Sequence, residues 1–124
     1  MQIKKLVLPL VFSTLISCQP SKNYIGLVDM NKDGKYELIY FTKNEIIDEK
    51  GNRLIDPKIN NYEIKRIEKV ELIDIDKDGD KDIMLYSELK NLKTNENIYG
   101  ILSGQNNNGN FDLKVLSTSF FKKW

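Results

Sequence analysis

Histidine is absent from this 124-residue sequence, and cysteine occurs only once, as Cys18. Histidine is the commonest general base and the commonest ligand of transition metals, so its absence excludes Ser-His-Asp and Cys-His catalytic sites. One cysteine supplies neither an internal disulfide nor a cysteine-rich zinc site. Composition therefore excludes the function classes that depend on these residues.

The sequence also lacks an excess of charge of either sign. Its 19 Lys and Arg residues nearly balance 18 Asp and Glu residues, for a net charge of +1. This balance gives no electrostatic basis for a nucleic-acid partner. The length predicts one domain. Beyond the N-terminal region no stretch has sustained helical periodicity, and the short apolar runs favour an all-β, antiparallel fold.

Acidic residues are concentrated in residues 74–82, with carboxylates at positions 1, 3, 5 and 9 and a glycine at position 6. So many like charges favour a compact loop only around a cation. Ca²⁺ takes six to eight oxygens, and loops of this type supply side chains from those four positions and a backbone carbonyl from position 7. Glycine at position 6 permits the sharp turn. The predicted ligands are the side chains of Asp74, Asp76, Asp78 and Asp82 and the carbonyl of Asp80.

The same spacing occurs earlier, in residues 29–37. Its predicted ligands are the side chains of Asp29, Asn31, Asp33 and Glu37 and the carbonyl of Lys35. This copy carries fewer carboxylates, so the sequence predicts two Ca²⁺ sites of which the second is stronger. Mg²⁺ is less suitable because it demands a tight octahedron. Similar apolar runs flank both copies, which predicts two repeats, at about 24–67 and 68–116.

The rest of the pattern predicts short strands separated by polar turns. Residues 62–67 have both helical and strand spacing, and strand is favoured. The continuous apolar runs at 38–41 and 83–86 predict strands with both faces covered. The other predicted strands are 24–28, 44–47, 53–55, 68–73, 98–103 and 111–116, with turns or loops at 48–52, 87–97 and 104–110.

The N-terminus has the features of a secretion signal. Lys4 and Lys5 precede an apolar run, Leu6 to Ile16, that is too short to span a bilayer. The run ends in Leu-Ile-Ser-Cys, which resembles the lipobox of bacterial lipoproteins. The resemblance implies a signal peptide at 1–17, lipidation of Cys18, and a lipid-anchored location in the bacterial envelope, outside the cytoplasm, at the outer membrane or cell surface. The rest of the sequence is then predicted to be a short tether at 18–23 and a β domain at 24–124. The alternative is a plain signal peptide with an incidental cysteine.

The two acidic loops and their flanks resemble FG-GAP/VCBS-type repeats of integrin-like β-propellers, and residues 101–111 resemble the hairpin that follows the loop in such repeats. The resemblance implies two propeller-blade-like units with Asp-rich calcium loops, preceded by a signal-peptide helix. A closed propeller needs about 4–8 blades, so a small β-sandwich and a fragment completed by other subunits stay open. An EF-hand or dockerin is disfavoured because Tyr40 and Leu85 occupy position 12, where an EF-hand requires glutamate.

These observations predict a membrane-anchored, extracytoplasmic calcium-binding protein that is a scaffold or interaction module and not an enzyme, with calcium in a structural role. One alternative is an accessory protein for a polysaccharide or secreted enzyme, using an exposed aromatic such as Trp124. A less favoured alternative is a small hydrolase. Glycosidases use two carboxyl groups about 5–9.5 Å apart, whereas the clustered acids here are assigned to the loops.

Overall fold

The computed structural model describes residues 22–124 of the chain, with the exception of Asp76 and Asp78. The predicted signal peptide at 1–17, Cys18 and most of the tether lie outside the described residues. Within these residues, no helix is long and apolar enough to cross a membrane. They form eight strands: β1 (Asn23–Val28), β2 (Glu37–Phe41), β3 (Ile46–Asp48), β4 (Lys58–Ile59), β5 (Tyr62–Ile73), β6 (Asp82–Asn91), β7 (Asn97–Asn107) and β8 (Asn110–Ser119).

The strands form two antiparallel sheets. The first has three strands in the order β1-β2-β3, and the second has five in the order β4-β5-β6-β7-β8. Neighbours in each sheet are also neighbours in sequence, so both sheets are built from successive hairpins. The prediction of an all-β, antiparallel fold is confirmed. The described strands form no closed barrel or propeller.

The two sheets share one hydrophobic core. Val28 and Ile39 contribute to it from the three-stranded sheet, and Leu85 contributes from the five-stranded sheet. Full burial of one such side chain is worth about 1.5–3 kcal/mol. The sheets approach closely at Gly26 of β1, where a Cβ would collide with the Leu72 side chain of β5. A side chain at position 26 would therefore require Leu72 to change its rotamer.

Strand β6 shows how the apolar runs are buried. Ile83, Leu85 and Leu89 are fully buried, whereas Met84 and Tyr86 between them are half-buried. This two-residue period is the one a pleated strand imposes. The continuous run predicts two covered faces; the structure covers the inner face completely and the outer face in part.

The predicted loop at residues 87–97 is wrong in its first half. Strand β6 continues to Asn91, and a short turn leads from there to β7. Ser87 and Leu89 are buried while Glu88 and Lys90 are half-buried. Polar residues are as common at the outward positions of a pleated strand as they are in a loop, so composition alone assigns this segment wrongly.

The predicted turn at residues 104–110 is much shorter in the structure. Strand β7 continues to Asn107, and Asn108 and Gly109 form the turn with φ values of 47° and 113°. Two central residues with positive φ are typical of a tight hairpin turn. Gly104 serves packing instead, because a Cβ there would collide with the Ile83 side chain.

The ambiguous segment at residues 62–67 is the first half of β5, so the strand prediction is confirmed. The same strand continues to Ile73, and the predicted repeat boundary near residue 67 lies inside it. The predicted hairpin around residues 48–52 forms in part. Strand β3 leads into the turn, and after the turn Arg53 forms a bridge with Ile47.

Candidate cation-binding loops

Residues 29–37 (loop 1) and residues 74–82 (loop 2) connect strands in the same way. Loop 1 joins β1 to β2, and loop 2 joins β5 to β6. In each loop the ninth residue pairs with the residue just before the first: Glu37 with Val28, and Asp82 with Ile73. The predicted motifs therefore close two hairpins in the same register.

The backbone of the two loops also follows the same path at the positions that can be compared. Position 4 has positive φ in both, 58° at Lys32 and 56° at Lys77, and so does the glycine at position 6. Positive φ is uncommon for a residue with a Cβ, so its recurrence at equivalent positions is informative. In both loops the glycine N–H donates to Oδ2 of the first aspartate, at 3.0 Å.

Loop 1 draws its carboxylates inward through backbone hydrogen bonds. Asp29 Oδ1 accepts from the N–H of Asp33 at 3.2 Å, and Asp33 Oδ1 accepts from the N–H of Lys35 at 2.8 Å. Asn31 is exposed, and with its amide nitrogen turned toward Asp33 it donates to both carboxylate oxygens at 3.0 and 3.1 Å. Among the predicted ligands of loop 1, the side chains of Asn31 and Asp33 are therefore in direct contact, and the Asp29 carboxylate is held by the backbone of the same loop.

Glu37, the last predicted ligand of loop 1, is half-buried and surrounded by negative charge. Burial raises the pKa of its carboxyl above the ordinary value of 4.5, and the charges of Asp48, Asp33 and Asp29 raise it further. A group whose charged form is disfavoured in this way gains from a nearby cation. Lys50 acts in that direction, but the net direction of the pKa shift remains upward.

Asp82, the last predicted ligand of loop 2, is completely buried. Its Oδ2 accepts the Ile75 N–H at 3.0 Å and its Oδ1 accepts the Asn106 N–H at 2.8 Å. Among the described residues it has no ion-pair partner. Buried charges in proteins are normally paired or bound to metal, because an isolated charge in the interior is costly.

Asp76 and Asp78, two more predicted ligands of loop 2, lie outside the described residues, and Asp74 and half-buried Asp80 lie inside them. Across the described residues no group of three or more His, Cys, Asp or Glu side chains could hold a metal ion. The donors that are described are carboxylates and one amide. Such hard oxygens fit Ca²⁺ better than a softer transition metal.

The two loops are neighbours in space. Lys32 of loop 1 forms an ion pair with Asp80 of loop 2, with Nζ 2.9 Å from Oδ2. Asn106 of β7 lies against both loops, since its backbone N–H donates to Asp82 and its side-chain Nδ2 donates to the Asp29 carbonyl oxygen at 3.3 Å. Sequence reasoning missed Asn106, which falls in the predicted turn at 104–110. An asparagine-rich run gave no signal that distinguished this residue from its neighbours.

An open groove of about 580 Å³ contains two further acids, Asp56 and Asp112. Asp56 Oδ1 accepts the Lys58 N–H at 3.0 Å, and Asp112 Oδ2 accepts from the Asn107 side chain at 2.8 Å. Both carboxylates hold local turns. The groove therefore gives no specific support to the hydrolase alternative.

Trp124 is engaged within the chain. Its ring packs edge-on against Tyr86 and Tyr99, with centroid distances of 5.4 and 5.8 Å, and its N–H donates to Glu68 Oε2 at 3.0 Å. An aromatic platform for a sugar presents a free face, whereas this indole is half-buried on the outer face of the five-stranded sheet. The polysaccharide alternative gains no support from it.

Comparison of the chain with protein-family models, with curated proteins and with solved structures gave no match.

Proposed function

We propose that this chain is a calcium-binding β-domain of the bacterial envelope, anchored by lipid on Cys18, in which the ions are structural. The observation that carries the proposal is the equivalence of loops 1 and 2. They share the register of their flanking strands, the positive φ at positions 4 and 6, and the glycine-to-aspartate hydrogen bond. Loop 2 in addition ends in a fully buried carboxylate, Asp82.

Calcium would act on the fold through the hairpins. Each loop joins two paired strands, so an ion bound in the loop fixes the strand ends relative to each other. Loop 2 has five acidic side chains in nine residues, and a dication offsets their mutual repulsion. A ligand that binds only the folded state stabilises it, by about 2.7 kcal/mol at a free concentration of 100 times Kd.

The proposed repeat units are two blade-like sheets of the FG-GAP/VCBS type. The hairpin β1–β2 with loop 1 and the hairpin β5–β6 with loop 2 are the equivalent parts. Strands β5 to β8 form four successive antiparallel strands, the number found in one propeller blade. The three-stranded sheet is the shorter unit.

The proposed role is that of a non-catalytic scaffold or interaction module outside the cytoplasm. Acylation of Cys18 would hold the domain at a membrane, since two or more acyl chains give durable attachment. Mass spectrometry of the chain purified from a bacterial membrane fraction tests this part. An unmodified Cys18 would contradict the anchor and leave calcium binding unaffected.

A thermal melt in calcium and in chelator tests the calcium proposal. The melting temperature is expected to rise by several degrees between excess EDTA and millimolar CaCl₂, because weak extracellular sites have Kd values of about 10⁻⁴–10⁻³ M. The variant Asp29→Ala/Asp74→Ala is the control and should not respond. A parent whose melting temperature is indifferent to both additives would rule the proposal out.

A further inference from the structure

Asn106 lies between the two loops and makes a side-chain hydrogen bond there that an apolar residue could not make. It is 6 % exposed, and its Oδ1 is buried without a hydrogen-bond partner among the described residues. An unpaired buried amide oxygen is unfavourable. The specific contribution of the asparagine side chain is its donor Nδ2, since any residue except proline would supply the backbone N–H.

These two groups connect the loops end to end. The backbone N–H holds the Asp82 carboxylate, the last residue of loop 2, and Nδ2 holds the Asp29 carbonyl, the first residue of loop 1. The ion pair between Lys32 and Asp80 forms a second connection. Residues of the two loops thus touch directly, at Lys32 and Asp80, or are joined through one residue, Asn106.

We propose that loops 1 and 2 bind their cations as a coupled pair, with Asn106 as a positioning residue and the Lys32–Asp80 ion pair as the second link. The inference rests on the proposed function. A cation in loop 2 fixes Asp82, and Asp82 fixes Asn106, whose side chain then holds Asp29. The second loop consequently has less conformational entropy to lose on binding, which gives positive cooperativity. Linkage makes the effect reciprocal.

Repulsion between two bound dications opposes this coupling. Salt screens such repulsion between exposed charges, and it also weakens the partly exposed Lys32–Asp80 ion pair, whereas the hydrogen bonds of Asn106 are buried or partly buried. The coupling through Asn106 is therefore expected to persist as the salt concentration is raised.

Isothermal titration of the full chain with CaCl₂ tests the inference. The variants Asp74→Ala and Asp29→Ala give the association constants of loop 1 and loop 2 alone. The product of the two stepwise constants of the parent is expected to exceed the product of these single-loop constants about fivefold or more. In the Asn106→Ala background this coupling factor should fall toward one, to the part that the Lys32–Asp80 ion pair contributes. The control Asn107→Ala, which loses a side-chain bond to Asp112, should keep the parent value.

The outcomes separate the inference from the proposed function. A parent that takes up no calcium overturns the proposed function. A parent that takes up two ions with a coupling factor of one, or an Asn106→Ala variant that keeps the parent factor, overturns the coupling alone. If Asn106→Ala does not fold, Lys32→Gln decides, since the Lys32 side chain is 58 % exposed: a lower factor supports the coupling and an unchanged factor overturns it.

Discussion

Loops 1 and 2 have the same residue spacing and the same backbone path, yet the environments of their ninth residues differ. Asp82 of loop 2 is fully buried and accepts two backbone N–H groups. Glu37 of loop 1 is half-buried, with a pKa raised by burial and by neighbouring carboxylates. The fold thus holds the Asp82 carboxylate with hydrogen bonds, whereas it disfavours the charged form of Glu37. The comparison teaches that a spacing motif specifies where candidate ligands lie, while the rest of the fold decides the burial and hydrogen bonding of each one.

Replacing each ninth residue by its amide should give the largest difference between the loops. Asp82→Asn leaves one of two backbone N–H groups, of which that of Asn106 is buried and that of Ile75 partly buried, without its acceptor, because the new amide nitrogen only donates. The free energy of unfolding in EDTA should fall by about 1–3 kcal/mol. Glu37→Gln removes a charge that the folded state disfavours at neutral pH, so its effect should lie within about 0.5 kcal/mol of zero or be slightly stabilising.

Urea denaturation in EDTA at neutral pH measures both variants. Equal losses of stability would contradict the contrast between the two ninth residues. The same variants titrated with CaCl₂ should both bind less calcium, which separates loss of a ligand from loss of the fold.

The next effect is a difference in calcium affinity. Loop 2 carries five acidic side chains and loop 1 carries three, so loop 2 should bind more tightly by about tenfold, or about 1.4 kcal/mol. Titration of Asp29→Ala, in which loop 2 remains intact, against Asp74→Ala, in which loop 1 remains intact, measures the ratio. Asp112→Ala, which lies outside both loops, is the control. A tighter site in loop 1 would reverse the comparison.

A smaller effect tests the backbone conformation that the two loops share at position 6. Gly34 and Gly79 have φ values of 82° and 91°, and a Cβ at either would meet open space. Gly34→Ala and Gly79→Ala should therefore each lose about 1 kcal/mol, purely from the backbone conformation. Thermal melts in EDTA measure the losses, and Gly51→Ala, at φ 86° in another turn, should lose a similar amount. A loss confined to one loop would show that the two paths differ.

The smallest effect is a pH dependence next to loop 1. Burial acts to raise the pKa of Asp48, but hydrogen bonds from Asn52 and Lys50 outweigh it and hold the pKa below 3.8. A depressed pKa means that Asp48 stabilises the fold above its ordinary pKa and that this contribution is lost as pH falls through the folded value. Asp48→Asn should thus lose less than about 1 kcal/mol of stability at pH 7, and this loss should shrink as the pH falls below 3.8 and vanish below the folded pKa.

Unfolding of Asp48→Asn and the parent in EDTA, at pH 7 and at several values below 3.8, checks this pH dependence. Removal of the Asp48 charge should also lower the pKa of Glu37, measurable by NMR titration of its carboxyl carbon. An unchanged Glu37 pKa would show that the two carboxylates do not interact.

The sequence predicted the parts of the fold that depend on local pattern. Alternation, β-branched runs and the nine-residue spacing located β1, β2 and β5 and placed each loop between paired strands. It did not predict that β6 extends to Asn91 or that Gly104 lies inside β7, because polar composition does not distinguish the outer face of a strand from a loop.

The contacts between the loops could not be predicted from local pattern. Asn106 reaches Asp29 across 77 positions of the chain, and nothing in its immediate sequence marks it. The burial of Asp82 likewise depends on where β7 packs. Long-range contacts of this kind connect the two loops, and a spacing motif carries no information about them.

The position of Trp124 has an optical consequence. It is the only indole in the chain, and Tyr86 and Tyr99, at 5.4 and 5.8 Å, are close enough to transfer excitation to it. Its fluorescence therefore reports the outer face of the five-stranded sheet, while far-ultraviolet circular dichroism reports both sheets. Coincident denaturation curves from the two signals would show one cooperative unit, and separated curves would show that the shorter sheet, which carries loop 1, melts independently.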